Sequence, residues 1–394
     1  MEPDREAHPL APEPELLAGP GRPFGLYLHV PYCRAKCPYC DFNVAIYRAD
    51  RVGPFLEALG AELARHAALP WAGRVPAVSL FLGGGTPSLL PPDGIAALIA
   101  AARRDLGLAA GAEVTLEANP DGLDAGWLRA AAAAGVTRLS LGVQALDDDL
   151  LRRLGRTHSA AQARRAWEAA RAAGFASLSL DLLYGCPGQT VAAWRDTLDE
   201  ALGWSPEHLS AYALTLEART PFGRRPPPGL PDEEAQVAQF ELLCDRAAGA
   251  GLARYEISNF ARPGFRSRHN LLYWSRADYL GLGPGAHGGL GPLRYANERS
   301  QTRWRAAVLA SRWPIERLER LSPRQVAAER IVLGLRLAEG VPREWIERHL
   351  GEAGGADRAL ARYLDAGVLA ERAGRLALTD RGVLVSDTVF AELV

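Results

Sequence analysis

Three cysteines, Cys33, Cys37 and Cys40, sit within eight residues of the stretch LYLHVPYCRAKCPYCDFN (26–43). The other two in the 394-residue chain are Cys186, in a turn pattern, and Cys244, in a helical pattern; both read as spare. A C-x3-C-x2-C run points to metal, because thiolates are the soft ligands of zinc and of iron–sulfur centres. Structural zinc takes four protein ligands, and His29 offers a fourth just ahead of the loop. A [4Fe–4S] cube held by three cysteines instead leaves one iron open to an external molecule. The spacing alone leaves both readings open. An odd, clustered cysteine set is no disulfide framework and fits a reducing compartment.

The elements that position this loop follow from hydrophobic periodicity. Strands are expected at 24–30, 77–85, 112–120, 137–144, 177–185 and 208–217. Helices are expected at 51–68, 93–106, 123–134, 160–173, 191–203 and 232–250. Strand and helix alternate six times, which implies parallel strands joined by crossover helices. The apolar, β-branched strands suit burial on both faces. The fold class is therefore α/β, as an open doubly wound sheet or a partial barrel.

Polar residues gather at the carboxyl ends of these strands. Gly83, Gly84, Gly85 and Thr86 follow the second, Glu117 and Asn119 the third, Gln144 the fourth, and Asp181 lies on the fifth. In a parallel barrel those ends share one rim, where active sites form. The cysteine loop follows the first strand and opens onto the same rim.

Beyond about residue 318 the pattern becomes three helices, a short hairpin and a final helix, a winged-helix-like unit. Acidic residues are interleaved along it, so no basic face marks a nucleic-acid site. The whole chain has 45 basic and 46 acidic residues, which also argues against bulk binding to nucleic acid. With 48% apolar residues it can bury a sizeable core. No apolar run approaches the roughly 20 residues of a membrane span. The first 22 residues are rich in Pro and acid and lack a signal-peptide pattern, so a disordered leader and a cytoplasmic location are expected.

An aromatic residue (Tyr39) before the third cysteine makes the loop resemble that of the radical S-adenosylmethionine superfamily. The resemblance widens with FLGGGTPSLL, LEANPDGL, SLGVQALDDDLLRRLGRTHS and LDLLYGCPGQT, which look like the oxygen-independent coproporphyrinogen III oxidase family. Within it, HNLLYW (269–274) and YLGLGPGAHG (279–288) are similar to the HemW-type heme chaperones. The oxidases carry a further cysteine two residues after the third; here that position is Phe42.

This resemblance implies a partial (β/α)6 barrel over residues 23–300 and a mainly helical C-terminal domain over 301–394. It implies a [4Fe–4S] cluster on Cys33, Cys37 and Cys40, with S-adenosylmethionine on the open iron. Tyr27, Tyr39, Gly84, Gly85, Thr86, Glu117, Gln144, Arg156, Asp181 and Thr215 would surround that cofactor. Glu117 suits an ammonium or ribose, Gln144 and Asp181 suit hydroxyls, and Arg156 suits a carboxylate. Tyr27 and Tyr39 read equally well as core aromatics, and a solvated helix arginine is the alternative for Arg156. Heme is the implied cargo, with His269 as first candidate ligand and His287 and His29 behind it; a packed structural histidine is the alternative for His269. The implied partners are apo-hemoproteins such as respiratory-chain components, and a homodimer or peripheral membrane contact is compatible with this. Coproporphyrinogen III oxidation and a zinc-stabilised binding protein are the competing functions, so catalytic turnover stays open at this level.

Overall fold

The structure is a computed structural model, and it describes residues 14–351 and 356–393. Six parallel strands form its centre: β1 (Phe24–Val30), β2 (Ala77–Gly84), β3 (Leu108–Ala118), β4 (Arg138–Gln144), β5 (Ser177–Tyr184) and β6 (His208–Ala213). Each pairs with the next in chain order. A doubly wound sheet reverses its strand order at a switch point. This one never reverses across the six, so the right-handed crossovers wind one way, as in a barrel.

The connecting helices are α1 (Ala49–Ala67), α2 (Pro92–Leu106), α3 (Ala125–Ala133), α4 (Asp148–Arg153), α5 (Ala160–Ala173) and α6 (Val191–Gly203), with α7 (Glu233–Gly249) after β6. Their starts are written in the sequence. Asp124, Asp147, Thr190 and Asp232 each accept a hydrogen bond from the first turn, and Ser159 closes a capping box with Gln162. Gly107 and Gly174 end α2 and α5 in the left-handed conformation. The expected strand at 208–217 stops at Ala213, because its partner β5 ends opposite it at Tyr184.

The six strands do not close on themselves. At one edge β6 is followed by two antiparallel strands, β7 (Ala253–Arg254) and β8 (Asn259–Ala261). At the other edge β1 pairs in parallel with β9 (Tyr279–Leu282). The antiparallel strands β10 (His287–Leu290), β11 (Leu293–Asn297) and β12 (Ile315–Arg320) complete a sheet of twelve. Between β8 and β9 lies the short helix α8 (Arg268–Trp274), and α9 (Gln301–Leu309) packs on α1.

Two expected boundaries move. Residues 301–320 were assigned to the C-terminal domain, yet α9 and β12 belong to the main sheet layer, where β12 pairs with β11. The leader was expected to be disordered through residue 22. Pro14–Ala18 instead form a helix whose Leu16 is buried in the main core, and Arg22 donates to the Arg276 carbonyl. Residues 1–13 lie outside the described residues. The C-terminal unit begins with α10 (Pro323–Leu335) and carries a three-stranded sheet of Val341–Pro342, Leu369–Arg372 and Arg375–Leu378 among helices, as expected of a winged-helix-like unit. Its Ile331 and Leu335 join the same core as the barrel.

Candidate functional site

The loop after β1 folds over the strand ends. Tyr32–Cys33 pairs with Ala45–Ile46, which pins both ends of the cysteine loop. The Thr86 hydroxyl lies 3.5 Å from Cys33 Sγ, and Arg156 Nη1 lies 3.7 Å from Cys37 Sγ. Donors aimed at sulfur favour the thiolate form that a metal takes. Burial pushes the Cys33 thiol up to about 11 without such an ion. Among the described residues no three His, Cys, Asp or Glu side chains are gathered tightly around one point. A cube of four irons needs its ligands more widely spaced than a single ion does. The three cysteines do line one cavity of about 310 Å³, and His29 does not. His29 points its Nε2 at the Asn43 carbonyl instead. The donor set therefore fits a three-cysteine cluster better than a closed zinc site with His29.

The same cavity collects the expected rim. Gly84, Gly85, Thr86, Glu117, Asn119, Gln144, Arg156, Asp181 and Tyr39 all line it. Glycine is required at two of these positions. Gly84 has φ +108° and a Cβ there would run into the His29 ring; one at Gly85 would lie 2.6 Å from the Tyr32 carbonyl oxygen. The Gly84 amide donates to Glu117 Oε2 at 3.0 Å. Gln144 is a non-glycine residue at φ +65°, at an irregularity where β4 meets β5. Such strain costs about 1 kcal/mol or more and turns the side chain out of the strand pattern. Arg156 Nη2 donates to Asn119 Oδ1 and to the Gly142 carbonyl, while its Nε has no partner among the described residues. Ser140 donates to Asp181. Burial, and then the Asp181 charge, raise Glu117 to about 7; burial also raises Asp181.

A second cavity of about 740 Å³ adjoins the first and shares Phe42, Gly84, Glu117, Asp181 and Tyr212 with it. Its walls are aromatic, including Tyr27, Phe81, Tyr273, Trp274 and Tyr279. Arg276, Arg294 and Arg299 add positive charge, and Glu329 of α10 bonds the first two. The C-terminal unit thus supplies one wall, through Glu329 and Leu333.

Comparison with known proteins connects this geometry to a family. Residues 27–201 match the Radical SAM superfamily and residues 321–385 match the HemN C-terminal domain. The chain is 38% identical to the heme chaperone HemW of Mycobacterium tuberculosis, over 97% of both chains. The chain belongs to the HemW family. The Bacillus subtilis HemW is 34% identical over 92% of this chain and 97% of its own. Mouse radical S-adenosyl methionine domain-containing protein 1, mitochondrial, is 37% identical over 94% and 87%. Among solved structures, the Escherichia coli coproporphyrinogen III oxidase HemN superposes with a TM-score of 0.83 at 22% identity, covering 96% of this chain and 92% of that one. That likeness establishes the radical SAM fold. Among the described residues no helix is long and apolar enough to cross a membrane.

Within this HemW family member the expected site residues fall into three groups. Tyr39, Gly84, Gly85, Thr86, Glu117, Gln144, Arg156 and Asp181 share the cavity with the three cysteines. Tyr27 lines only the larger cavity, where its hydroxyl meets His29 Nδ1 at 2.9 Å. Thr215 lines neither; it is exposed beyond the end of β6. His269 is on the wall of the large cavity but fully buried. Its Nδ1 meets the Ser79 hydroxyl and its Nε2 the Tyr273 hydroxyl, both at 2.8 Å. Burial, and then the charge of Arg138, lower its pKa to about 3. Cys186 and Cys244 line neither cavity.

Sequence reasoning missed Tyr212, which lines both cavities, and Ser140 and Ser210, which line the large one. It also missed Arg138, a buried arginine whose Nη2 meets His208 Nδ1. A charged residue in an otherwise apolar strand was the available signal for Arg138. Ser140 and Ser210 carried none, because small polar residues are common on strands.

Proposed function

We propose that the chain binds heme in the large cavity and delivers it to apo-hemoproteins, with a [4Fe–4S] cluster and S-adenosylmethionine in the adjoining cysteine cavity. The observation that carries this reading is the junction of the two cavities across Glu117, Asp181, Phe42 and Tyr212. A planar, apolar macrocycle with anionic side chains suits aromatic walls and an arginine-bearing rim, and about 740 Å³ falls in the range of small-molecule sites. Relatives over nearly the whole chain bear the name heme chaperone. Cys33, Cys37 and Cys40 would hold the cluster, and Glu117, Gln144, Arg156 and Asp181 would bind the polar ends of the cofactor. When bound, that pair supplies one-electron chemistry. Arg156 and Thr86 direct hydrogen bonds at sulfur, and Glu117 fixes the glycine turn through the Gly84 amide. In this reading the compartment is the cytoplasm and the receivers are proteins such as respiratory-chain components.

Radical oxidation of coproporphyrinogen III is the second reading, and the shared fold favours it. Phe42 stands against it. It is 59% exposed and lines both cavities, an apolar side chain where the oxidases carry a thiol. The test is anaerobic and has two arms. The reconstituted protein receives hemin in one, and coproporphyrinogen III with S-adenosylmethionine and reductant in the other. Hemin uptake and transfer to an apo-cytochrome without porphyrinogen turnover is expected. Turnover to protoporphyrinogen would sink the chaperone reading.

A further inference from the structure

Three histidines line the large cavity: His29, His269 and His287. Two of them are already committed. His29 meets the Tyr27 hydroxyl with Nδ1 and the Asn43 carbonyl with Nε2, each at 2.9 Å. His269 meets Ser79 and Tyr273 and is shut off from solvent. Each would have to give up a buried hydrogen bond before it could bind a metal, and would leave a hydroxyl or carbonyl unpaired.

His287 differs in both respects. It opens β10, is exposed at the cavity wall, and neither ring nitrogen has a hydrogen-bond partner among the described residues. Its backbone is fixed, because β10 is paired on both sides: Tyr279 lies opposite Gly289, and His287 opposite Ala296. Ala296 in turn lies opposite Arg317 on β12, so the histidine, a small alanine and an arginine stand in one row across three strands. The alanine leaves room beside the ring. Glu62 on α1 holds this wall from behind, accepting from the Gly283 amide, the Asn297 amide and the Trp304 indole.

The charges around His287 are cationic. Partial burial, then Arg317 and Arg299, lower its pKa, so the ring is neutral at physiological pH and keeps a lone pair for a metal. Arg299 is exposed, lines the same cavity, and has no side-chain ion pair or hydrogen bond among the described residues. A neutral imidazole with an uncommitted guanidinium nearby matches two parts of an iron porphyrin, the metal and a carboxylate arm.

We propose that His287, and not His269, is the side chain that ligates porphyrin iron in the large cavity, with Arg299 taking a propionate carboxylate. This assignment rests on the heme-binding reading. The experiment titrates full-length protein with hemin and follows the Soret band and the ferric spin state. His287→Gly should weaken binding by about tenfold or more and change the spin state. Millimolar imidazole should restore the wild-type spectrum, a rescue that a merely structural histidine would not give. His269→Phe should keep the wild-type ferric spin state, even where repacking of the cavity wall lowers affinity. Arg299→Ala should weaken hemin but not hemin dimethyl ester, which lacks the carboxylates. An unaltered spectrum in His287→Gly, or no recovery with imidazole, overturns the ligand assignment while leaving the heme reading in place. Equal losses for hemin and its ester overturn the role of Arg299. A wild-type chain that takes up no hemin overturns both the assignment and the reading beneath it.

Discussion

The two cavities are built by different means. The small one is lined by residues that leave consecutive parallel strands at one end, within a few residues of a strand boundary: the cysteine loop after β1, Gly84–Thr86 after β2, Glu117–Asn119 at the end of β3, and Gln144 at the end of β4. The large one draws on strand interiors such as Tyr27, Phe81 and Ser140, on the extension β9 to β11, and on α10 of the C-terminal unit. The first is a property of the barrel's winding. The second exists only because distant segments pack against that barrel. In the proposed reading a cluster site and a cargo site can therefore change independently while sharing a floor of Glu117 and Asp181.

That independence can be broken in order of effect. Cys37→Ala removes a thiolate that Arg156 and the loop converge on, so cluster iron and its visible absorption should be lost entirely. Hemin affinity of the same variant should stay within about threefold of wild type. A parallel loss of hemin binding would show that the cavities act as one. Glu62→Ala strips the acceptor from three buried donors behind the large cavity. It should cost about 3 kcal/mol in urea unfolding and weaken hemin binding, while anaerobic iron content is unchanged.

The shared floor gives a pH test. Glu117 is pushed from 4.5 up to about 7 by burial and Asp181. An acid whose folded-state pKa lies above its unfolded value binds more protons when folded, so stability falls as pH rises from about 4.5 through about 7. Thermal or urea unfolding followed across that window should decline by at most about 3 kcal/mol from this group. Glu117→Gln should flatten the decline; an identical slope would remove Glu117 as its source. His269→Phe breaks two buried hydrogen bonds and should cost about 1–2 kcal/mol in stability. Thr215→Val, at an exposed position outside both cavities, should change neither cluster content nor stability by more than about 0.5 kcal/mol.

Much of the small cavity was legible in the chain, because strand ends and the residues after them are local signals. The helices 160–173 and 191–203 fall where periodicity and their caps put them. Thr215 lies beyond the strand expected to carry it, because nothing local says that β6 ends when β5 ends. His269 shows the opposite difficulty. A histidine in a distinctive HNLLYW run attracts a ligand role, yet Ser79, nearly two hundred residues away in the chain, satisfies one nitrogen and Tyr273 the other. The boundary at residue 300 failed for a similar reason: a strand assigned to a second domain finds its partner in the first.

Local sequence determined the order of strands and helices, their caps, the thiolate spacing and the glycine turn, since each depends on residues within a few positions of one another. Only the tertiary structure decided which polar groups remain free. Hydrogen-bond partners come from any point in the chain, so the choice between His269 and His287 depends on packing: Ser79 and Tyr273 bracket one ring, while the small Ala296 beside the other, on β11, leaves it open.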